Sequence, residues 1–446
     1  MKFYNRQQEI HQLQQWSKKA AEGQGLLTLL VGRRRIGKTA LIATAYGSCD
    51  LQSIYLFTSR KQESLLTEEF AEQIRAALNI SIYGNPTKLK DIIAILLEYS
   101  RTHAITLIID EFQDLQRVNR SFFSELQNLW DAHKADSRMH LICCGSLYSL
   151  MTRLFQDSRE PLFGRADNRI NLQPLRPYCI AELLENQHQY TPEKLLQWYA
   201  LSGGVPKYLQ MLAQTEPNLD LWEQLINNNS LMIEEGHYRL AEEFGLENNR
   251  YFSILSAISA GRTSRPEIEA LLETSVGPQL ERLEKDFDII KRQQPIFSKP
   301  GNRLIRYRIA DTFLAFWFRF IYSHRSAIEI RNFTFVRKII ERDYPTWSGQ
   351  WLEELVRQSL ADTGHYSRIG SYWERGNSNE IDIVALNEIN KTALIAEVKR
   401  NRKNIRISKL KAKASNLTRQ LHDYDITFRG FSLEDLPILV ESASCK

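Results

Sequence analysis

The sequence predicts an α/β protein with a parallel sheet, because short apolar runs alternate with segments of helical character. The first run, residues 26–31, is short enough for a buried strand, and a glycine-rich turn and a helix follow it. Two further runs, residues 105–109 and 139–144, also have the length of core strands and end in small or polar residues. The 446 residues are enough for about three domains of ~150 residues each.

The turn after the first run is a complete phosphate loop, GRRRIGKT, which fits the pattern G-x-x-x-x-G-K-[ST]. A strand, a glycine-rich turn and a helix N-terminus together aim backbone N–H groups at an anion. Lys38 is expected to reach the β- and γ-phosphates, and the Thr39 hydroxyl is expected to ligate Mg²⁺. The sequence therefore predicts ATP binding by Gly32, Arg33, Arg34, Arg35, Ile36, Gly37, Lys38, Thr39 and Ala40.

The second run ends in the acidic pair Asp110 and Glu111. A phosphate loop requires an acidic residue at the end of a neighbouring strand to hold the metal and its water shell, and Asp110 suits that role. Glu111 is placed to polarise the attacking water as a general base. The alternative is a strand followed by a solvated acidic loop, which the complete phosphate loop disfavours.

The third run is followed by Ser146, for which the sequence leaves two interpretations open. Its hydroxyl either lies beside the γ-phosphate or caps the N-terminus of the next helix.

Arg165 ends the segment PLFGR and precedes another apolar segment. A planar guanidinium there can stabilise the charge of a phosphoryl transition state, in cis or from a neighbouring subunit. A surface arginine paired with Asp167 is the alternative.

Six segments in this order resemble the archaeal-type ATPases of the STAND branch of AAA+-related P-loop proteins. They are YNRQQE at 4–9, GRRRIGKT at 32–39, IIDEFQDL at 108–115, CGS at 144–146, PLFGR at 161–165 and GGVPKY at 203–208. The resemblance implies that Arg6, with Asn5 and Glu9, lies near the nucleotide base. It also implies that Ser146 occupies the sensor 1 position and that Pro206 belongs to a nucleotide-binding helical lid.

Residues 248–308 predict a winged helix-turn-helix module, with helices at 251–260, 266–272 and 278–287 and strands at 289–297 and 304–309. The candidate recognition helix, residues 279–286, carries three acids against two bases. A major-groove reader needs exposed basic or amide side chains in a positive field, so the sequence favours an interdomain coupler over a DNA reader. The hairpin is more basic and contains Lys291, Arg292, Lys299, Arg303, Arg306 and Arg308.

Two strands are predicted near the C-terminus, at residues 380–386 and 393–399. If they pair as a hairpin, Asp382 lies within a few ångströms of Glu397, and Lys399 shares the face of Glu397. Two carboxylates can hold a hard divalent cation, and an adjacent lysine can orient or activate water at that metal. A surface ion pair between Lys399 and Glu397 is the alternative.

This D…E-x-K arrangement resembles the PD-(D/E)XK restriction-endonuclease-like fold, although Ile381 stands where that family usually has proline. The resemblance implies that Asp382 and Glu397 bind Mg²⁺ or Mn²⁺ and that Lys399 acts in catalysis. It also implies a further acidic residue on the preceding helix, for which Glu353 is the best match and Glu354 the alternative. The pair Gln420 and Tyr424 resembles a motif of the exonuclease branch.

Charge and composition set the remaining expectations. A net charge of +5 permits a nucleic-acid partner, and residues 399–413 contain eight basic residues and no acid. That run is either a solvated face or a contact for a phosphate backbone. Five cysteines without metal-ligand spacing and an N-terminus without a signal-peptide segment favour the cytoplasm. The apolar stretch 313–322 predicts a buried aromatic helix rather than a membrane span, which needs ~20 residues.

The sequence thus predicts an ATPase core at 1–175, a helical lid at 176–245, a winged helix-turn-helix at 246–325 and an α/β endonuclease-like domain at 326–446. The favoured function is Mg²⁺-dependent ATP hydrolysis coupled to a nuclease-like domain that acts on DNA, with a homo-oligomer or a protein partner left open. The alternative is a STAND-type switch, in which ATP sets the conformational or oligomeric state and the C-terminal domain only binds a partner.

Overall fold

The computed structural model describes residues 4–47, 51–82, 84–146, 148–244, 248–299, 301–302 and 304–444. Cys49, Arg303 and Cys445, which entered the sequence predictions, lie outside these ranges. The chain divides into two compact units, Asn5–Gln173 and Pro174–Lys446, and Tyr4 belongs with the second unit.

The first unit is built on a parallel sheet, which confirms the predicted α/β class. Its strands follow the order β2-β3-β4-β1-β5, and every pair is parallel. The strands are β1 (Leu26–Val31), β2 (Ser53–Phe57), β3 (Ile105–Asp110), β4 (Met139–Gly145) and β5 (Asn168–Asn171). β1, β3 and β4 are buried along their whole lengths, as continuous apolar runs in a sheet covered on both faces must be.

Helices pack against this sheet, and their buried apolar side chains form one hydrophobic core with those of the strands. They are α1 (Gln7–Ala21), α2 (Lys38–Tyr46), α3 (Glu63–Leu78), α4 (Leu89–Tyr99), α5 (Leu115–Val118), α6 (Phe122–His133) and α7 (Tyr148–Gln156). Cys143 and Cys144 are buried thiols in β4, as the sequence predicted.

The second unit begins with helices and continues into the winged helix-turn-helix, whose three helices and hairpin are confirmed. The helices are α8 (Pro177–Asn186), α9 (Pro192–Ser202), α10 (Pro206–Ala213), α11 (Leu221–Leu225), α12 (Leu231–Phe244), α13 (Asn248–Ser259), α14 (Arg265–Leu272) and α15 (Gly277–Lys285). The hairpin strands, β6 (Ile290–Gln293) and β7 (Arg306–Ile309), pair antiparallel and are shorter than predicted. The predicted aromatic helix is observed as α16 (Thr312–Phe316), continued by a π-helical turn at Trp317–Ile321, and its aromatic side chains are buried.

The rest of the second unit is a four-stranded mixed sheet with helices. The strands β8 (Arg368–Tyr372), β9 (Ile381–Asn387), β10 (Thr392–Val398) and β11 (Asp425–Phe431) follow the order β11-β10-β9-β8. β9 and β10 pair antiparallel, which confirms the predicted hairpin, and β11 joins β10 in parallel. The helices are α17 (Arg325–Glu329), α18 (Phe333–Trp347), α19 (Gly349–Asp362), α20 (Ile407–Lys413), α21 (Ser415–Gln420) and α22 (Leu436–Ser444). None of the helices in the described ranges is long and apolar enough to cross a membrane.

Candidate functional site

The phosphate loop connects β1 to α2 and requires glycine at both ends. A Cβ on Gly32 would lie 2.9 Å from the carbonyl oxygen of Leu172, and Gly37 has φ of +91°, in the left-handed region. α2 begins at Lys38, so the first amide groups of this helix follow the loop directly. Within the loop Ile36 is buried, Arg33, Arg34 and Arg35 are half-buried, and Thr39 and Ala40 are exposed.

The Lys38 ammonium is folded back onto the loop. Its Nζ donates hydrogen bonds to the carbonyl oxygens of Gly32 at 2.8 Å and of Arg33 at 3.4 Å. Burial lowers the pKa of Lys38, while the negative charges of Glu111 and Asp110 act in the opposite direction. A buried ammonium that bonds only neutral carbonyls is suited to exchange them for phosphate oxygens.

Asp110 ends β3, and hydrogen bonds reach both of its carboxylate oxygens. Oδ1 accepts from the backbone N–H of Glu111 at 2.9 Å. Oδ2 accepts from the Thr39 hydroxyl at 3.4 Å and from the Tyr55 hydroxyl at 2.5 Å. The structure thus brings together the predicted metal-binding residues Thr39 and Asp110 and adds Tyr55, which the sequence analysis missed.

Glu111 follows Asp110 in a left-handed conformation, with φ of +51°. Its Oε2 accepts from the Ser146 hydroxyl at 2.8 Å and from the side-chain amide of Gln113. Ser146 follows β4, which lies between β3 and β1, so its hydroxyl contacts the predicted general base. The N-cap alternative for Ser146 depends on Leu147, which lies outside the described residues.

Arg6 is buried at the start of α1, although the sequence alone would place an arginine at the surface. Its guanidinium pairs with Glu9 at 3.1 Å and donates to the carbonyl oxygen of Gln173. Gln173 follows β5 at the sheet edge that carries the phosphate loop, because Val31 and Asn171 are paired at the ends of their parallel strands. Arg6 therefore lies at the same sheet edge as the loop.

The prediction that Arg165 acts on this chain's own phosphates is wrong. Two hydrogen bonds hold Asp167 beside Leu27, at the start of β1, whereas the phosphate loop follows the end of that strand. The strand separates them by ~15 Å or more, at about 3.3 Å per residue. Arg165 pairs with Asp131 on α6 at 2.9 Å, and not with Asp167, which pairs with Lys134. A role from a neighbouring subunit stays a prediction.

Steric constraints require the glycine pair that precedes Pro206. Gly203 and Gly204 have φ of +57° and +79°, and a Cβ on Gly204 would lie 2.1 Å from the carbonyl oxygen of Leu175. Pro206 occupies the first turn of α10, where its missing N–H is no loss. Its nucleotide-binding role stays a prediction.

A second group of carboxylates lies in the C-terminal sheet. The antiparallel register pairs Ile383 with Ala396, and one step further it places Asp382 opposite Glu397. Lys399 lies between them, with its Nζ 3.3 Å from Asp382 Oδ2 and 3.6 Å from Glu397 Oε1. Burial alone would lower the pKa of Lys399, but the two carboxylates outweigh it and raise the pKa.

The alternatives Glu353 and Glu354 have different surroundings on α19. Glu354 pairs with Arg308 of β7 at 2.7 Å and with Arg357. Burial alone would raise the pKa of Glu354, but these two guanidinium groups outweigh it and lower the pKa to about 2. Burial and then the charge of Asp382 raise the pKa of Glu353 to about 8. Of the two acids on this helix, Glu353 is therefore the one whose pKa the charge of Asp382 raises.

The basic run 399–413 is partly used inside the unit. Arg400 donates to both carboxylate oxygens of Glu193 on α9, at 2.6 and 2.7 Å, and Lys413 lies 3.8 Å from Glu397. Lys403 and Lys409 are exposed. Some basic residues of this run therefore form ion pairs inside the unit, and others are exposed to solvent.

Tyr424, from the pair that resembles an exonuclease motif, lies away from the carboxylate group. Tyr424 precedes β11, where Asp425 is paired with Thr392 at the start of β10, whereas Glu397 lies near the end of β10. Five residues of strand separate the two positions by ~16 Å. The Tyr424 ring instead packs under the ammonium of Lys391.

Several charged residues of the winged helix-turn-helix form ion pairs within the second unit. On α15, Lys285 pairs with Glu281 at 2.6 Å. On β7, Arg306 pairs with Glu380 at 2.6 Å and stacks over the Trp373 ring. The basic residues of β7 are thus engaged by the C-terminal sheet and its helices.

The donor sets for a metal differ between the two units of the described chain. No group of three or more His, Cys, Asp or Glu residues there is arranged to hold a metal ion. At the phosphate loop, the donor set of a hydroxyl and a carboxylate suits Mg²⁺ that also binds phosphate and water. In the C-terminal sheet, two carboxylates suit a hard cation, but the Lys399 ammonium already pairs with both of them.

Comparison with known proteins agrees with the first unit's geometry. Residues 3–212 match the model of an ATPase domain found predominantly in Archaea. The chain contains a P-loop ATPase domain. Residues 317–413 match a second family model, which describes archaeal and bacterial proteins of unknown function and assigns no activity.

Individual proteins resemble most of the chain. An uncharacterized protein of Methanocaldococcus jannaschii is 28% identical over 416 residues, covering 89% of this chain and 87% of the relative. A Walker-type ATPase of Pyrococcus abyssi has a similar structure, with a TM-score of 0.54 and 19% identity over 71% of this chain and 96% of that one. The ORC2 protein of Aeropyrum pernix matches with a TM-score of 0.48 and 13% identity over 74% and 96% of the two chains. At 19% identity, the likeness to the Pyrococcus protein concerns the fold alone.

Proposed function

We propose that this ATPase domain hydrolyses ATP with Mg²⁺ and that its nucleotide state is coupled to a nuclease-like C-terminal domain. The observation that supports hydrolysis is the convergence of the phosphate loop with Asp110, Glu111 and Ser146. They end three strands that are consecutive in the sheet, β3, β4 and β1. A binding loop alone would not require the hydrogen bonds that orient the two acids.

Each residue of this site has a defined task in the proposed reaction. Lys38 leaves the loop carbonyls and bonds the β- and γ-phosphates. Thr39 and Asp110 hold Mg²⁺, which would neutralise phosphate charge when bound. Glu111, held by Ser146 and Gln113, accepts a proton from the attacking water. Arg6, which donates to the carbonyl oxygen of Gln173, would lie near the adenine base.

The test of this proposal is ATP hydrolysis by the purified full chain with Mg²⁺ and with EDTA. We expect slow turnover that requires the metal. Nucleotide binding without any turnover, even with candidate activators, would restrict the domain to a binding role.

For the C-terminal domain we propose metal-dependent cleavage of nucleic acid, with DNA as the favoured substrate. The support is the cross-strand placement of Asp382 and Glu397, the contact of Lys399 with both, and the influence of Asp382 on Glu353. Asp382 and Glu397 would hold Mg²⁺ or Mn²⁺, which would activate water and stabilise phosphate charge when bound. Lys399 would orient the attacking water, and the exposed lysines of the basic run would contact phosphates.

Cleavage of plasmid and single-stranded DNA in the presence of Mn²⁺ tests this proposal. Asp382→Ala should lose most of the activity, and Asp425→Ala, an exposed acid of the same sheet, should retain it. Activity that survives Asp382→Ala would remove the assignment of this site.

A STAND-type switch is the second candidate, and one observation favours it. The Lys399 ammonium forms ion pairs with both carboxylates, so a metal ion would have to displace it, whereas a domain that only binds a partner needs no such exchange. In that case ATP would change the conformation or the oligomeric state without any cleavage. Hydrogen exchange of residues 176–310, with and without a non-hydrolysable ATP analogue, tests the coupling that both candidates share.

The winged helix-turn-helix is proposed to couple domains rather than to read DNA. Arg306 and Arg308 contact the C-terminal domain, and Lys285 of the candidate recognition helix is paired with an acid. A cytoplasmic location is proposed because the described cysteines are thiols, which a reducing compartment preserves. A homo-oligomer would allow Arg165 to act on a neighbouring subunit.

A further inference from the structure

Tyr55 contacts the metal-binding carboxylate from the outermost strand of the parallel sheet. It lies on β2, which is an edge strand, and its residue is 37% exposed. Its backbone is paired with Ile108, two positions before Asp110 on β3. The side chain nevertheless reaches Asp110 Oδ2, with 2.5 Å between the two oxygens.

This hydrogen bond is the shortest contact that Asp110 makes in the described structure. A separation of 2.5 Å is at the short end of the range for a hydroxyl that donates to a charged carboxylate. Thr39 is 3.4 Å from the same oxygen, and the backbone N–H of Glu111 is 2.9 Å from Oδ1. Tyr55 and the Glu111 amide therefore hold opposite oxygens, which fixes the rotation of the carboxylate plane.

We propose that Tyr55 is a positioning residue that orients the Asp110 carboxylate for Mg²⁺ during ATP hydrolysis. The proposal rests on the ATPase function stated above. Asp110 itself is buried, so its oxygens have few donors besides the protein groups around them. Outer-shell hydrogen bonds to metal-binding groups typically change metal affinity or activity by about 10–100-fold.

A purely structural role would have different consequences. The phenol could satisfy a buried acceptor and attach β2 to the sheet, in which case its loss would lower stability and leave Mg²⁺ dependence unchanged. The orienting role predicts the reverse: a large change in Mg²⁺ dependence with a small change in stability. The two roles are therefore separated by measuring both quantities on the same variant.

The experiment uses the full chain with Tyr55→Phe, which keeps the ring and removes the hydroxyl. We expect the Mg²⁺ concentration for half-maximal ATPase activity to rise about tenfold. At saturating Mg²⁺, kcat and the KM for ATP should return to within about threefold of the wild-type values, because the metal then organises the site. Titration calorimetry of a non-hydrolysable ATP analogue over a series of Mg²⁺ concentrations should show the same shift without turnover.

Tyr46→Phe is the matched control. The Tyr46 hydroxyl bonds the Leu13 carbonyl oxygen at 3.2 Å and the Ser17 hydroxyl at 3.0 Å, within the same unit and without contact to Asp110. This control should lower the melting temperature without changing Mg²⁺ dependence. In an Asp110→Asn background, Tyr55→Phe should add no further shift in the calorimetric titration, since the group that it orients has changed.

Three outcomes are distinguishable. An active Tyr55→Phe variant with wild-type Mg²⁺ dependence overturns the positioning role, as does an equal shift in the Asp110→Asn background. A shift in Mg²⁺ dependence that is absent from Tyr46→Phe supports it. Failure of the wild type itself to hydrolyse ATP would instead remove the proposed function, and the calorimetric titration would still test the orientation of Asp110.

Discussion

The two units each present a pair of carboxylates, and the partners of these pairs differ in charge. In the first unit, Asp110 and Glu111 accept hydrogen bonds from hydroxyl, amide and backbone donors. In the second unit, Asp382 and Glu397 lie against the ammonium of Lys399. Neutral donors orient a carboxylate and leave its charge for a metal, whereas an ammonium neutralises it.

The position of the lysine in each unit supports this contrast. Lys38 donates hydrogen bonds to two carbonyl oxygens and to no carboxylate oxygen in the described structure. Its ammonium group therefore remains able to form an ion pair with phosphate. Lys399 is already paired, so a cation that binds Asp382 and Glu397 must compete with it. The first site is thus arranged for a metal nucleotide, while the second requires an exchange of cations.

The largest effect is expected from Lys38→Ala. The variant loses the one ammonium that the loop directs at phosphate, and we expect ATP affinity to fall at least about 100-fold, or ~2.7 kcal/mol. Titration calorimetry measures the change. Lys61→Ala is the control, because Lys61 pairs with Glu69 at the surface of the same unit. Retained affinity in Lys38→Ala would show that the Lys38 ammonium does not bind the phosphates.

Glu111→Gln should separate binding from hydrolysis. The amide keeps the size of the side chain but accepts no proton, so we expect turnover to fall about 10²–10⁴-fold while ATP still binds. Single-turnover hydrolysis and calorimetry on the same sample measure both quantities. Glu98→Gln, which alters an exposed acid paired with Arg101, is the control. Hydrolysis at the wild-type rate in Glu111→Gln would show that another group is the base.

Lys399→Met tests whether the Lys399 ammonium competes with a metal ion for Asp382 and Glu397. Removal of the competing ammonium should tighten Mn²⁺ binding about tenfold, equivalent to ~1.4 kcal/mol, and abolish any cleavage that needs this lysine. Calorimetric titration with Mn²⁺ measures the affinity, with Lys403→Met as a control from the exposed part of the basic run. Absence of Mn²⁺ binding in both the wild type and Lys399→Met would favour the switch, with the carboxylates serving as an internal ion cluster.

The smallest effect concerns the pH dependence of stability in the first unit. His140 is buried between the hydroxyls of Ser17 and Thr28, each 2.7 Å from a ring nitrogen, and burial lowers its pKa to about 3. Below about pH 6.5 the unfolded chain binds a proton that the folded chain does not, so stability falls as the pH decreases towards 3. The slope contributed by this group reaches about 1.4 kcal/mol per pH unit.

His140→Gln should reduce that slope, because glutamine has hydrogen-bonding groups but does not titrate. Hydrogen exchange of residues 26–31 and 139–145 at pH 7, 6 and 5 measures the local stability of the wild type and the variant. His133→Gln, at the half-buried end of α6, is the control. Equal slopes in wild type and His140→Gln would show that folding does not change the pKa of this histidine.

Much of the first site was predictable because its signals are local. A run of apolar residues gives a buried strand, and the phosphate loop needs glycine where the backbone turns, so the bounds of β1 and the position of Lys38 follow from the sequence. The hairpin of β9 and β10 was predictable for a similar reason. Alternation with a period of two and a short turn determine both the pairing and the proximity of Asp382 to Glu397.

Other features depended on contacts between residues that are distant in sequence. The sequence favoured Glu353 over Glu354 only by resemblance, since the two acids are adjacent on one helix. Arg308, more than forty residues earlier in the chain, pairs with Glu354 and lowers its pKa, whereas burial and the charge of Asp382 raise the pKa of Glu353. Arg165 was misplaced for a related reason: its motif shows that an arginine is present but not at which end of the sheet it lies.

The sequence by itself determined the α/β class, the phosphate loop with its acidic partner strand, and the residue types of the C-terminal carboxylate group. Other donors around these acids became known from the three-dimensional structure: Tyr55 at Asp110 in one unit, and Lys413 at Glu397 and Arg308 at Glu354 in the other. The physical reason is that backbone conformation follows from local sterics and periodicity. The electrostatic environment of an acid depends instead on side chains that the fold brings within about 4 Å of it.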